Sequence, residues 1–250
     1  MTAAVAPVVP ARSVRRTGPS LQALVGLEIR KSLSTRSGLA LVASSLLVAP
    51  AAMVLFGTSA DSIAGVAGPV AVTGMLASLV LLSLGVLSTA GEWSHGTVQT
   101  TYLLVPQRGR VLAAKAVAVA ALGAAVAAVA AASSGLVLTA LQPDLAWTGA
   151  GRAVLVVTVA GAVFAALGAG VGAALGNSAG ALTALYLLFL GVMPVLQTVT
   201  PSVADRVDPG NAVLELAQGN HQATAALTLA AWLAVALAAG AVVTRRRAVQ

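Results

Sequence analysis

The chain contains no cysteine, and charged and aromatic residues are scarce. Without cysteine there are no disulfides and no thiolate metal sites. Charged residues make up 8% and aromatic residues 3% of 250 positions, against 58% hydrophobic residues. Because a single globular core cannot accommodate that composition, most of the chain needs an apolar solvent. The sequence therefore predicts an integral membrane protein.

Six stretches without Asp, Glu, Lys, Arg or His are long enough to cross a bilayer core of about 30 Å. The exclusion of charge fits an insertion cost of about 2.5 to 3.5 kcal/mol per charge at a helix centre. Unbroken runs of Ala, Val, Leu and Gly favour helices over the alternating strands of a barrel. We therefore predict an all-α integral membrane fold with six transmembrane helices, at about 39–57, 63–89, 116–141, 153–175, 179–199 and 223–243.

The basic residues are distributed unequally between the two sides that these spans define. Lys and Arg near span ends are retained on the cytoplasmic side, and only Arg152 and Arg206 fall on the other side. The acidic residues show the opposite bias, which places both termini in the cytoplasm and the protein in the cell membrane. Because the cations are dispersed at span ends without interleaved aromatics, we predict no nucleic-acid binding. The twelve cytoplasmic cations are Arg12, Arg15, Arg16, Arg30, Lys31, Arg36, Arg108, Arg110, Lys115, Arg245, Arg246 and Arg247.

The polar N-terminal region divides into two parts. Residues 1–19 are rich in proline and predict a disordered cytoplasmic tail, followed by a single transmembrane domain over 20–250. Within that domain, 20–36 carries an apolar residue at every fourth position and predicts an amphipathic interfacial helix. The alternative is a polar lead-in to the first span. The apolar stripe consists of Leu21, Val25, Ile29 and Leu33.

A polar stretch between the second and third spans, 91–115, is the main loop predicted on the cytoplasmic face. Gly91 is expected to end the second span, and Pro106 to end a short surface helix over Thr97 to Val105. The cations that follow, Arg108, Arg110 and Lys115, suit contact with lipid phosphates. Glu92 does not help to orient the chain, so we expect it to pair with one of these cations or with a partner.

Two further patterns leave alternatives open. Gly168, Gly172, Gly176 and Gly180 recur at four-residue spacing, which predicts a helix face for close packing within the subunit or between two copies. The outward segment 199–222 is either re-entrant or a surface cap, with a short helix over 211–218.

Two segments resemble a known family, the type 2 ATP-binding-cassette (ABC) exporter permeases, particularly the actinobacterial ones. In LEIRKSLSTRSG the family's pattern of an acid before a basic cluster is matched by Glu28, Arg30, Lys31 and Arg36. In GEWSHGTVQTTYLLVPQRGRVLAAK the second pattern is matched by Glu92, Gly96, Thr97, Pro106, Arg108, Arg110 and Lys115. The chain departs from the family at Asn177 and Ser178, where members often carry a basic residue.

The resemblance implies an elbow helix before the first span and a coupling helix, between spans two and three, that docks on a separate ATPase subunit. It also implies two ATPase copies that bind ATP and Mg, and a second permease copy, identical or similar. No cofactor, metal or catalytic residue is expected in this chain. A phosphate-binding loop would need GxxxxGK, and neither Lys31 nor Lys115 fits it. The substrate is expected to be amphipathic.

Other function classes find less support. A membrane-embedded enzyme needs ionisable groups converging at one depth, whereas His95 and His221 lie on opposite predicted faces. An ion-coupled secondary transporter normally carries an ionisable residue within a span, and these spans carry none. A non-transporting anchor or signalling subunit stays open.

Overall fold

The computed structural model describes residues 19–57 and 65–247, so nearly all of the predicted tail over 1–19 lies outside the described residues. The regular structure of the described residues is helical throughout. In chain order the helices are α1 (Leu21–Ser34), α2 (Arg36–Gly57), α3 (Ala67–Ser94), α4 (Val98–Leu104), α5 (Arg108–Leu141), α6 (Ala150–Leu175), α7 (Ser178–Tyr186), a π-helical segment (Leu187–Val192), α8 (Met193–Val199), α9 (Pro201–Val207), α10 (Pro209–Gln218) and α11 (Gln222–Arg246).

Six helical segments within the described residues are long and apolar enough to cross a membrane. They are α2, α3, α5, α6, α11 and the continuous stretch Ser178–Val199, which joins α7, the π-helical segment and α8. The prediction of six helices long and apolar enough to span is therefore confirmed. In the fifth of them, the wider π-helical turn lies immediately before Pro194, whose ring cannot fit an uninterrupted α-helix.

Two helices extend beyond the apolar stretches predicted as spans. The second span does not end at Gly91, because α3 continues to Ser94 and the left-handed conformation falls instead on Gly96, with φ +70°. The third span begins at Arg108 rather than at Ala116, because the backbone becomes helical as soon as the chain leaves Pro106. Counting charges locates the apolar part of a helix, but the helix extends through polar residues wherever its backbone hydrogen bonds continue.

Helices α1 and α2 meet at a sharp break. Ser20 caps α1 by accepting a hydrogen bond from the amide of Ala23, at 3.2 Å. Thr35 is extended, and its hydroxyl then accepts a bond from the amide of Gly38, at 3.1 Å. Helix α1 therefore ends two residues before the end of the amphipathic helix predicted over 20–36, and Arg36 begins α2.

The first helix packs through Leu24, which lies outside its predicted stripe, together with Val25 of the stripe. Leu24 is buried against Val105, Val111 and Ala114, so α1 lies on the first turns of α5. The stripe itself is less buried, with Leu21 44% exposed. An exposed stripe leaves an apolar surface for lipid, as an interfacial helix requires.

Helices α3 and α6 form the centre of the bundle and approach each other closely through glycine. A Cβ atom at Gly85 would meet the backbone of α6, and one at Gly168 or Gly172 would meet α3. Small residues at such crossings allow the backbones to pack tightly in lipid. The predicted close-packing face is thus used within the subunit at Gly168 and Gly172.

The predicted glycine face does not continue beyond α6. Gly176 ends that helix in the left-handed conformation, with φ +62°, and lies against the side chain of Arg247. Gly180 belongs to α7, where its amide donates to the side chain of Asn177 at 2.8 Å. The four-residue spacing therefore extends across a helix end, which the pattern alone could not reveal.

The bundle has two ends, distinguished by charge. At one, which we call the basic end, lie α1, α4, the C-termini of α3, α6 and α11, and the N-termini of α2, α5 and α7. Nine of the eleven described Lys and Arg residues lie there, and Arg152 and Arg206 lie at the opposite end. At that opposite end α10 buries Ala212 and Val213 against the bundle, and the helix predicted over 211–218 is present.

Candidate functional site

The basic end contains a cluster of two acidic and two basic side chains. The ammonium of Lys115 donates to Glu28 Oε2 at 2.7 Å and to Glu92 Oε1 at 2.8 Å. Lys31 pairs with the same oxygen of Glu92. We call these four residues the ion cluster. It joins α1, α3 and α5, three helices that meet at the basic end.

The ion cluster is buried on one side and open on the other. Lys115 is 3% exposed and Glu92 6% exposed, so their charges are compensated by each other rather than by water. The Lys31 side chain, by contrast, is 48% exposed. Removing one member of a buried pair leaves an uncompensated charge, which is strongly unfavourable. The cluster therefore fixes how α1 sits against α3 and α5.

The surroundings of Lys31 alter its pKa. Partial burial acts to lower the pKa, but the hydrogen bond and the negative charge of Glu92, helped by the charge of Glu28, outweigh it. The net effect raises the pKa of Lys31 above its ordinary value, so Lys31 stays charged at neutral pH.

The short helix α4 lies beside the ion cluster and is braced by aromatic contacts. The rings of Trp93 and Tyr102 meet edge to face, with centroids 6.4 Å apart. The Arg108 guanidinium lies 5.2 Å from the centre of the Tyr102 ring, and that of Arg247 lies 4.9 Å from the centre of the Trp93 ring. Burial raises the pKa of the Tyr102 phenol, opposed by the charge of Arg108.

Two arginines bind the carbonyl ends of neighbouring helices. Arg108 donates to the carbonyls of Thr244 and Arg247, at 3.1 and 2.6 Å, where α11 ends. Arg247 donates to the carbonyls of Ala174 and Leu175, at 3.2 and 3.3 Å, where α6 ends. Cations at helix C-termini satisfy unpaired carbonyls and complement the helix dipole. This arrangement connects α4 and α5 to the last turns of α6 and α11.

The other side of α4 faces outward. Leu103 is 85% exposed, whereas Tyr102 is partly buried and Val98 fully buried. Helix α4 thus has one face held by the bundle and another that projects a large apolar side chain beyond the spans.

The remaining residues of the two predicted motifs occupy connecting positions. Gly96 makes the left-handed turn after α3, and Thr97 precedes α4 with its carbonyl accepting from the amide of Thr101 at 3.4 Å. Pro106 lies between α4 and α5, and its carbonyl accepts from the amide of Arg108 at 3.0 Å. Arg30 is exposed on α1.

The three loop cations, expected to contact lipid phosphates, all have partners within the protein. Lys115 is buried in the ion cluster, and Arg108 binds helix ends. Arg110 donates to the side chain of Gln107 at 3.0 Å and to the carbonyl of Pro19 at 2.9 Å. Glu92 was expected to pair with one of these three cations or with a partner. The first possibility is confirmed, because Glu92 pairs with Lys115.

Sequence reasoning missed the roles of Trp93, Tyr102 and Arg247. A signal was present, because the chain has only eight aromatic residues and two of them, Trp93 and Tyr102, lie within ten residues of each other in the polar stretch. In a chain so poor in aromatics, such a pair indicates a packed polar region rather than a plain loop.

No protein-family model matches the chain, and no curated protein matches it. The class of protein is therefore defined by the fold itself, as a helical multi-pass membrane protein with six candidate spans among the described residues. Those residues contain no group of three or more His, Asp or Glu side chains that could hold a metal ion.

Proposed function

We propose that this chain is the membrane subunit of an ATP-driven exporter of the type 2 ABC class. It moves an amphipathic substrate across the cell membrane, together with a second permease copy and two ATPase subunits that bind ATP and Mg. The observation that carries the proposal is α4, which lies outside the spans at the basic end and projects Leu103, 85% exposed. Helix α4 is the coupling helix in this proposal, and α1 is the elbow helix.

The connections of α4 support a coupling role. A force applied to α4 reaches α5 and α11 through Arg108, because this side chain contacts the Tyr102 ring and the carbonyls at the end of α11. It reaches α1 through the neighbouring ion cluster. A helix tied to several spans can move them as a unit when its partner moves, whereas a loosely attached loop cannot.

The charge distribution supports a cytoplasmic position for α4. Nine of the eleven described cations lie at the same end as α4, and Lys and Arg near span ends favour the cytoplasm. ATP is available to an ATPase subunit on that side. The proposal therefore places both termini and α4 in the cytoplasm.

Replacing Leu103 by alanine tests the proposed docking. Losing an apolar anchor from a protein interface typically costs more than about 1 kcal/mol, or roughly a fivefold loss of affinity. We expect Leu103→Ala to weaken co-purification of the ATPase subunit and its stimulated ATP hydrolysis. The matched control is Leu227→Ala, a leucine 70% exposed at the opposite end. If no ATPase co-purifies with the unmodified protein, or if both variants behave alike, the proposal fails.

One observation favours an ion-coupled secondary transporter instead. Glu92 and Lys115 are buried within helices that span, whereas the sequence placed both outside the spans. Buried ionisable groups in spanning helices often mark ion pathways. Transport by the purified chain alone in vesicles, abolished when a protonophore dissipates the proton gradient, would support this alternative. ATP-dependent transport that survives the protonophore supports the exporter.

A further inference from the structure

A cavity of about 470 Å³ lies at the basic end, between the corner joining α1 to α2 and the last turns of α3. Leu84 and Leu87 form its apolar part, and Glu28, Lys31, Ser32 and Glu92 contribute to its polar part. Its volume falls within the range of about 300 to 1,000 Å³ typical of small-molecule sites. The ion cluster thus forms part of a cavity wall as well as a contact between helices.

The ion cluster retains hydrogen-bonding capacity on the cavity side. Glu28 binds Lys115 through Oε2, and Glu92 binds both lysines through Oε1. Glu28 Oε1 and Glu92 Oε2 have no partner among the described residues, and neither has the hydroxyl of Ser32. An ammonium group has three donors, so Lys31 can bind a further acceptor besides Glu92. The cavity therefore offers acidic acceptors and a basic donor close together.

The charge balance of the cluster selects the type of ligand. The charges of two carboxylates and two ammonium groups sum to zero. A ligand that carries one charge could pair with the carboxylates or with the ammonium groups, but not with both. A zwitterion can satisfy both signs at once. The cavity lies at the N-terminus of α2 and the last turns of α3, and most residues in the apolar stretch of α2 are not buried within the protein. An amphiphile in the membrane can therefore reach it.

We propose that this cavity binds the head group of a zwitterionic amphiphile that carries a primary ammonium and a phosphate. The ammonium donates to the free oxygens of Glu28 and Glu92, and the phosphate accepts from Lys31 and the hydroxyl of Ser32. The first part of the hydrocarbon chain lies on Leu87 and its neighbour Leu84. The site is independent of the proposed function, because binding needs no ATPase.

The test measures lipid binding to the purified full-length chain in detergent by native mass spectrometry. We expect phosphatidylethanolamine to bind at least about tenfold more tightly than phosphatidylcholine, whose quaternary ammonium cannot donate hydrogen bonds. Phosphatidylglycerol, which has no ammonium, is expected to be similarly weak. Equal binding of the three lipids would overturn the proposal.

Soluble phosphoethanolamine distinguishes an amphiphile from a free head group. It lacks the hydrocarbon that would cover Leu84 and Leu87, and burying two methylene groups already contributes more than about tenfold in affinity. We therefore expect phosphoethanolamine to bind at least tenfold more weakly than phosphatidylethanolamine. Equal affinities would overturn the assignment to a membrane amphiphile.

Two variants locate the binding. Glu28→Gln is expected to reduce the preference for phosphatidylethanolamine over phosphatidylcholine about tenfold, and Leu87→Trp to weaken binding by filling the cavity. Glu215→Gln, at the opposite end, is the control and should change neither. Leu87→Trp alters no charge, so it still tests whether the lipid binds in this cavity if Glu28→Gln does not fold. Unchanged binding in a folded Leu87→Trp protein would show that this cavity is not the site.

Discussion

Replacing Glu92 by glutamine shows whether the ion cluster holds the basic end together. In this variant Lys115, 3% exposed, loses its charged partner at 2.8 Å and keeps Glu28 at 2.7 Å. Removing one member of a buried pair costs about 3 to 5 kcal/mol when no partner remains. Because Glu28 remains, we expect half of that cost for Glu92→Gln, about 2 kcal/mol.

The matched comparison is Lys31→Met, which removes a pair on the exposed side of the same cluster. The Lys31 side chain is 48% exposed, and ion pairs in water contribute about 1 kcal/mol or less. For a chain of this length 1 kcal/mol corresponds to about 2 to 4 °C in the melting temperature. Thermal unfolding in one detergent should therefore shift by roughly 4 to 8 °C for Glu92→Gln and by less than about 4 °C for Lys31→Met. A shift in Glu92→Gln no larger than in Lys31→Met would refute the reasoning.

Three further predictions concern the core, the helix ends and pH. Gly85→Ala places a methyl group against the backbone of α6 and should lower the free energy of unfolding by about 1 to 3 kcal/mol. Gly26→Ala, with no atom within 4 Å of the added group, should leave the free energy of unfolding unchanged or raise it in the same assay. An equal decrease in the free energy of unfolding for the two variants would contradict the packing argument. Arg108→Ala removes the guanidinium nitrogen Nη1 that donates to both carbonyls at the end of α11. Limited proteolysis should therefore cut the C-terminal segment faster than in the unmodified protein, and an unchanged rate would count against that contact. The raised pKa of Lys31 means that its stabilisation is complete below the unfolded pKa of about 10.4 and is lost as pH rises through the folded pKa. The difference in melting temperature between Lys31→Met and the unmodified protein should therefore be constant from about pH 7 to 9 and shrink above about 10.4, whereas a difference that shrinks on acidification to pH 7 would contradict the assigned sign.

The spans could be predicted from the sequence because each is a long run without charge, and lipid imposes that requirement on any spanning helix. The ends of the helices could not be predicted in this way. Arg108 and Lys115 are charged yet helical. A search for uncharged stretches therefore places the start of α5 too late in the chain. Gly91 and Gly96 are both able to end a helix, and the choice between them depends on where the chain must turn.

The ion cluster could be predicted only in part. An acidic residue among cations predicts a pair with one of them or with a partner, but the sequence does not single out Lys115 from Arg108 and Arg110. The contribution of Glu28 and Lys31 depends on how α1 lies against α5. That packing involves Leu24, which falls outside the predicted apolar stripe of α1, together with Val25 of the stripe, so the periodicity of the sequence indicates only part of the contact.

The most direct test of the central claim uses the absence of cysteine from the chain. Leu103→Cys introduces a single thiol on α4 at a position that is 85% exposed, so a thiol-directed crosslinker in native membranes reports what α4 touches. The account predicts a crosslink to a subunit that carries a phosphate-binding loop of the GxxxxGK type, blocked by a thiol reagent that acts from the cytoplasm. A thiol that reacts only from outside the cell, or a crosslink that never includes an ATPase subunit, would contradict it.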